Sequence, residues 1–279
     1  MCLLAVLVTL GAGGLLSGCG GEQSGGARDK RPFAYAVEIE GEIGPTRKRQ
    51  LERALEDAEK KGARLIILRL DTPGGDVEST RAMTKAMLDA PLPVVVYVAP
   101  DGARAGSAGV FLTLAGDVAA MAPQTNIGSA SPVLISPMGV VDAPPVLYRK
   151  ILNDSVAYVR TLAEAHDRNA DLPERMVRRA TNVTARKARR EGLVDVVAAS
   201  EAELLKRLDG FRVKGRKARV LRTAGLRVVR FEASDGPAED RQDGTLVLGL
   251  GLPGLISIGM FAAVILFLIA RTVGLGRST

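Results

Sequence analysis

Histidine is almost absent from this chain of 279 residues: His166 is the only one. A Ser-His-Asp triad is therefore excluded unless His166 supplies the base. Cysteine is nearly as scarce, and both copies, Cys2 and Cys19, lie in an apolar N-terminal stretch. The folded body thus has no disulfide and no thiol ligand. Tryptophan is missing and aromatics make up 4% of the chain, so an interior drawn from the 47% hydrophobic residues must be built of Leu, Val, Ile and Ala. Charge of one sign is also in short supply. A net +7, from 38 Lys and Arg against 31 Asp and Glu, is modest for a nucleic-acid binder of this size. No internal repeat is present, and neither a metal site nor a cofactor is expected.

What is present at the two ends points to a membrane. Residues 1–18, MCLLAVLVTLGAGGLLSG, match the apolar core and small-residue cleavage region of a signal peptide, although no Lys or Arg precedes them. Leu16-Ser17-Gly18-Cys19 is similar to a bacterial lipobox, which would make Cys19 a lipidated first residue. Residues 19–32 then form a flexible tether. At the other end, residues 246–270 carry no charge and exceed the roughly 20 residues a helix needs to cross a bilayer. Arg271 and Arg277 follow, which by the positive-inside tendency puts the basic tail 271–279 in the cytoplasm. The body is expected on the periplasmic or outer side of a bacterial cytoplasmic membrane.

Between the ends, the pattern alternates strands and helices. Residues 33–41 read as a first strand and 45–62 as an amphipathic helix. Residues 63–70 form a buried strand, and Asp71-Thr72-Pro73-Gly74-Gly75 a turn into a helix over 76–90. Val94–Val98, VVVYV, has the composition of a strand covered on both faces. After the Gly106-Ser107-Ala108-Gly109 turn come a short helix and a strand at 118–122. Connections of helical length between such strands argue a mostly parallel sheet. Residues 131–145 contain four prolines and no clear period, so they read as a surface flap. Helices are expected over 146–166, 173–180, 185–191 and 200–208, with a strand over 193–198. Residues 211–231 suggest two or three short basic strands as an extension beyond a 33–210 domain, and 232–245 an acidic linker.

Two turns then stand at the C-terminal ends of parallel strands, where ligands collect in open α/β sheets. Ser107, between small residues where a strand hands over to a helix, suits an exposed nucleophile; it equally suits an ordinary helix cap. Tandem glycines at 74 and 75 let backbone amides approach a substrate closely, and an N–H from Gly74 or Gly75 with that of Ala108 would make an oxyanion hole. Pro-Gly-Gly is also simply a turn. A serine nucleophile needs a base. His166 sits near the polar end of a helix and reads as a solvated surface residue. Lys150, among Val146, Leu147, Ile151 and Leu152, is a candidate for a lysine held neutral by desolvation, or a surface lysine paired with Asp154 one turn on.

These blocks together resemble the ClpP-class membrane serine proteases of the NfeD family. They are Asp71-Thr72-Pro73-Gly74-Gly75, Gly106-Ser107-Ala108-Gly109, Met121-Ala122-Pro123 and Asn126-Ile127-Gly128-Ser129-Ala130, followed by 150–163 (KILNDSVAYVRTLA), Arg168-Asn169 and 184–198. The resemblance covers about residues 33–200 and implies an α/β fold of the ClpP/crotonase spiral type with a mostly parallel sheet and a C-terminal transmembrane helix. It implies Ser107 as nucleophile, Lys150 as general base, and Gly74, Gly75 and Ala108 as oxyanion donors. By the same resemblance, substrates are hydrophobic or membrane-proximal peptide segments, stomatin-like membrane proteins are possible partners, and the chain self-associates. Longer members continue into further membrane helices and an OB-like domain. A crotonase-like acyl-CoA enzyme and a non-catalytic membrane scaffold are the alternatives. An anionic-lipid or nucleic-acid surface at 212–230 is a weaker one, since the run has no interleaved aromatics.

Overall fold

The protein is described from a computed structural model covering residues 31–136, 139–142 and 144–232. The expected signal peptide with Cys19, most of the linker, the membrane helix at 246–270 and the basic tail lie outside the described residues. Among the described residues no helix is long and apolar enough to cross a membrane.

The chain opens with β1 (Phe33–Glu40), α1 (Pro45–Lys60), β2 (Leu65–Asp71), α2 (Val77–Asp89) and β3 (Val94–Val98). Next come β4 (Arg104–Gly106), α3 (Ala108–Ala115), β5 (Val118–Met121), β6 (Asn126–Gly128), β7 (Leu134–Ser136) and β8 (Gly139–Val141). Then follow α4 (Pro145–Glu164), α5 (Asp171–Arg179), β9 (Asn182–Thr184), α6 (Ala185–Arg190), β10 (Val196–Val197) and α7 (Glu201–Leu208). The described part closes with β11 (Arg212–Val213), a 3-10 turn at Gly215–Lys217, β12 (Arg219–Val220) and β13 (Arg227–Arg230). Six strands form one sheet in the order β10-β5-β3-β2-β1-β13, every pair parallel.

Side chains alternate across this sheet with the period of two that strand geometry imposes. Ile66, Leu68, Val94, Val96 and Val98 join the larger core under α1–α5, whereas Leu65, Ile67, Val95 and Tyr97 join a second core with Leu204 and Leu208 of α7. All five residues of VVVYV are buried for that reason.

Three expectations are corrected. The flap at 131–145 contains an antiparallel hairpin, β7–β8, whose strands are too short to show a period. The strand expected over 193–198 shrinks to Val196–Val197, because the amides of Leu193 and Val194 donate to Ala188 O and prolong the end of α6. Short strands β4, β6 and β9, not expected as strands from the sequence, form a second small sheet. Three residues are too few for any periodicity signal.

The basic segment after 210 is part of the body. β13 is the edge strand beside β1, and Val213 and Leu221 are buried in the second core. Lys217, buried with Asp117, pairs with it at 2.9 Å and donates to the carbonyls of Met87 and Leu92. Asp117 in turn accepts from the amide of Val94. Removing one partner of such a pair leaves a buried charge uncompensated. Lys217→Ala is therefore expected to cost about 3–5 kcal/mol in urea unfolding, whereas Lys206→Ala, on the exposed face of α7, is expected to change stability negligibly.

Candidate active site

The centre of the site is the place where two turns touch backbone to backbone. The amide of Gly106 donates to Thr72 O at 2.9 Å and that of Thr72 to Arg104 O at 2.8 Å, so β2 continues past its end alongside β4. A Cβ on Gly106 would lie 2.7 Å from Pro73 O, and one on Gly109 2.9 Å from Thr72 Cγ2. A Cβ on Gly74, which has φ +135°, would lie 2.6 Å from Ser107 Cβ and 3.2 Å from its Oγ. A side chain larger than hydrogen would displace backbone at Gly106, the serine at Gly74, and the side chains of Thr72 and Ala105 at Gly109.

Ser107 itself has φ +47° and ψ −108°, a conformation uncommon for a residue with a Cβ. Its amide donates to Gly128 O at 3.0 Å and its carbonyl accepts from Val110, so the backbone is held on both sides. The hydroxyl makes no cap bond to α3, which corrects the expectation that Ser107 could serve as a helix cap. Strain of this sort, imposed by surrounding contacts, is characteristic of functional positions. The residue is partly exposed.

The three amides expected as oxyanion donors differ in their bonding. That of Gly74 donates to Thr72 Oγ1 at 3.0 Å. Those of Gly75 and Ala108 have no acceptor among the described residues. Gly75 is exposed, and Ala108 opens α3, where helix amides point outward. Beside them runs a cleft walled by Val77, Phe111, Ala130, Pro132 and Tyr158, with Thr80, Arg81 and Ser155 supplying polar groups. Phe111 stacks on Tyr158 at 5.8 Å.

Lys150 is exposed, and the apolar surroundings expected for it do not form in the single chain. Val146 is 56% and Leu147 45% exposed, because the first turns of α4 project past its neighbours and its buried face begins at Val156. Further along the same helix Asp154 meets Arg81 and Tyr158 meets Thr84, so side chains of α4 and α2 touch where Arg81 and Tyr158 line the cleft.

His166 is buried rather than solvated, a second correction. It lies against Gly215 of the 3-10 turn, away from the residues lining the cleft. Burial, and then the nearby Arg168 guanidinium, push its pKa below the usual histidine value.

Comparison with known proteins follows the same lines. A family model described as the N-terminal domain of NfeD1b matches residues 33–226. The chain belongs to that family. It is 36% identical over 184 residues to the membrane-bound protease PH1510 of Pyrococcus horikoshii, covering 65% of this chain and 41% of that protein. It is 34% identical over 105 residues to the membrane protein NfeD1b of Bacillus subtilis, covering 38% and 23%. The chain thus spans less than half the length of these curated relatives. Among solved structures it is similar to a lysine-to-alanine mutant of the 1510-N membrane-bound stomatin-specific protease in complex with a substrate peptide. The TM-score is 0.69 and the identity 32%, over 74% of this chain and 94% of that one. A serine-to-alanine mutant of the same protease matches with TM-score 0.68 and 32% identity, over 73% and 99%.

Two expectations follow for the site and its surroundings. Gly74→Ala should reduce reaction of Ser107 with a fluorophosphonate on the order of 10²-fold, since displacing a reacting group by about 1 Å costs that much; unchanged labelling would show that the contact is dispensable. For His166, the folded state holds the neutral ring, while the unfolded chain takes up a proton near pH 6.5. Stability should therefore fall as the pH drops below about 6.5, and keep falling until the lowered folded value is passed. The decrease in Tm between neutral and mildly acidic buffer should be smaller in His166→Gln.

Proposed function

We propose that this chain is a membrane-associated serine endopeptidase working through a Ser-Lys dyad, with a body of the ClpP/crotonase spiral type. The observation that carries the reading is Ser107, partly exposed and held at positive φ between the acceptor-free amides of Gly75 and Ala108. That arrangement suits attack on a carbonyl whose oxygen becomes negative in a tetrahedral intermediate.

In the proposed reaction, Ser107 Oγ attacks the scissile carbonyl carbon and its proton passes to the neutral amine of Lys150. The Gly75 and Ala108 amides stabilise the oxyanion. As the intermediate collapses, Lys150 returns the proton to the leaving amine and an acyl-serine remains. Water then attacks this ester, again with Lys150 taking the proton, and the acid product leaves with the serine restored. With His166 buried and absent from the cleft lining, Lys150 of α4 is the base this reading takes. The relatives support the choice: the serine and the lysine replaced in the two 1510-N mutants stand in the same order, and at nearly the same separation, as Ser107 and Lys150.

The cleft walls of Val77, Phe111, Ala130 and Pro132 suit an apolar peptide side chain. Val133, which follows Pro132 in the chain, and Val146 and Leu147 at the start of α4 are exposed apolar residues. Hydrophobic segments of membrane proteins, stomatin-like ones included, are the substrate class this favours. Cover from a second copy of the chain or from substrate would desolvate Lys150. Orientation outside the cytoplasm, a membrane anchor at 246–270 and lipidation of Cys19 belong to the same reading.

The test is covalent labelling of the full chain with a fluorophosphonate. Ser107→Ala should abolish labelling, and Lys150→Ala should slow it about 10²–10⁴-fold, the usual contribution of a general base. His166→Gln should label like the parent. Undiminished labelling of Ser107→Ala would leave a non-catalytic scaffold as the better reading, and loss in His166→Gln with folding intact would move the base to His166.

A further inference from the structure

Asp154 lies one helical turn after Lys150 on α4, the i,i+4 spacing at which a lysine and a carboxylate pair across a helix surface. In the structure that carboxylate is engaged elsewhere. Arg81, from α2, bonds Asp154 Oδ2 at 2.5 Å, and its guanidinium lies 4.3 Å from the centre of the Tyr158 ring. Tyr158 is fixed in turn by its hydroxyl contact with Thr84 and by stacking on Phe111. Arg81 also lines the cleft that holds Ser107. The ion pair is partly exposed, at 42% and 68% of the two side chains, so it adds little stability. Its placement has a chemical consequence instead. A carboxylate bonded to Lys150 would favour the charged ammonium, which cannot accept a proton from serine.

We infer that Arg81 is a positioning residue for the dyad: by holding the Asp154 carboxylate it keeps Lys150 from the ion pair that would leave its amine protonated. The inference rests on the reading of Lys150 as general base. Arg81 suits the role because a guanidinium stays charged at every working pH and its planar fork holds a carboxylate while stacking on a ring. Close to Lys150 in sequence are Arg149 and Asp142, and Asp76 and Glu78 stand at the start of α2. Asp76 is occupied as the cap of α2, accepting from Ser79. These groups are the same in every variant compared below, so differences between variants report on Arg81 and Asp154.

The experiment is the rate of fluorophosphonate labelling of the full chain as a function of pH, for the parent, Arg81→Gln, Asp154→Asn and the double variant. In the parent the rate rises with pH as the base loses its proton. Arg81→Gln frees Asp154 for Lys150, so its rising limb should move up by about 0.2–0.4 pH unit, the worth of an exposed i,i+4 pair. On that limb labelling should be about twofold slower. Asp154→Asn should show the limb at or below the parental pH. The double variant, with no carboxylate left to capture the lysine, should regain the parental limb, which a role in shaping the cleft would not produce. An unmoved limb in Arg81→Gln overturns the inference, and so does a double variant that stays with Arg81→Gln. Both of those outcomes leave Lys150 in place as base. Parental labelling in Lys150→Ala would instead remove the dyad itself, and this inference with it.

Discussion

The contact between Thr72–Gly75 and Gly106–Gly109 is the constraint on which the site depends. Two chain segments leave neighbouring parallel strands and run so close that Gly74, Gly106 and Gly109 have no room for a Cβ. That approach holds Ser107 at positive φ, because its amide, its carbonyl and the space above its Cβ are all occupied. It also leaves two amides, of Gly75 and Ala108, without acceptors among the described residues. A buried parallel sheet makes this precision possible. With VVVYV covered on both faces, neither turn can shift without disturbing one of the two cores.

The second half of the site is set by helices. α2 starts from the glycine turn and α4 arrives from the flap, and the Arg81–Asp154 and Thr84–Tyr158 contacts join their side chains. The serine side is thus rigid and the lysine side projects beyond its neighbours, with an exposed apolar turn around Lys150. On the proposed reading this division would suit a protease acting on hydrophobic segments, with nucleophile and amides held in place and the base desolvated only once substrate or a second copy covers it.

Much of this could be read in the chain itself. The β2, β3 and β5 strands announced themselves by apolar runs too dense for a sheet with one wet face, and Gly74, Gly75 and Gly106 marked both turns. The single histidine pointed to lysine. What escaped was information that lies in tertiary contact. β4, β6 and β9 are three residues each and form only because the turns meet. His166 sits among polar residues in sequence, yet the segment around Gly215, fifty residues later, buries it. Lys217 looked like one more charge in a basic run, but Asp117 waits for it beneath α2. Ser107 as a helix cap was a fair local expectation, overturned by a backbone angle that no local rule supplies. Gly74 was grouped with Gly75 as a donor because sequence cannot show that Thr72 already takes its amide.

The central claim is geometric: the acceptor-free amides of Gly75 and Ala108 face the oxygen that turns negative when Ser107 is acylated. A crystal structure of the chain inactivated by a peptidyl phosphonate measures this directly. The account predicts phosphorus on Ser107 Oγ and a phosphonyl oxygen about 2.7–3.1 Å from both amides, with Lys150 Nζ within hydrogen-bonding reach of Oγ. An adduct on Ser107 whose oxygen points to solvent, or an adduct on any other residue, would contradict it.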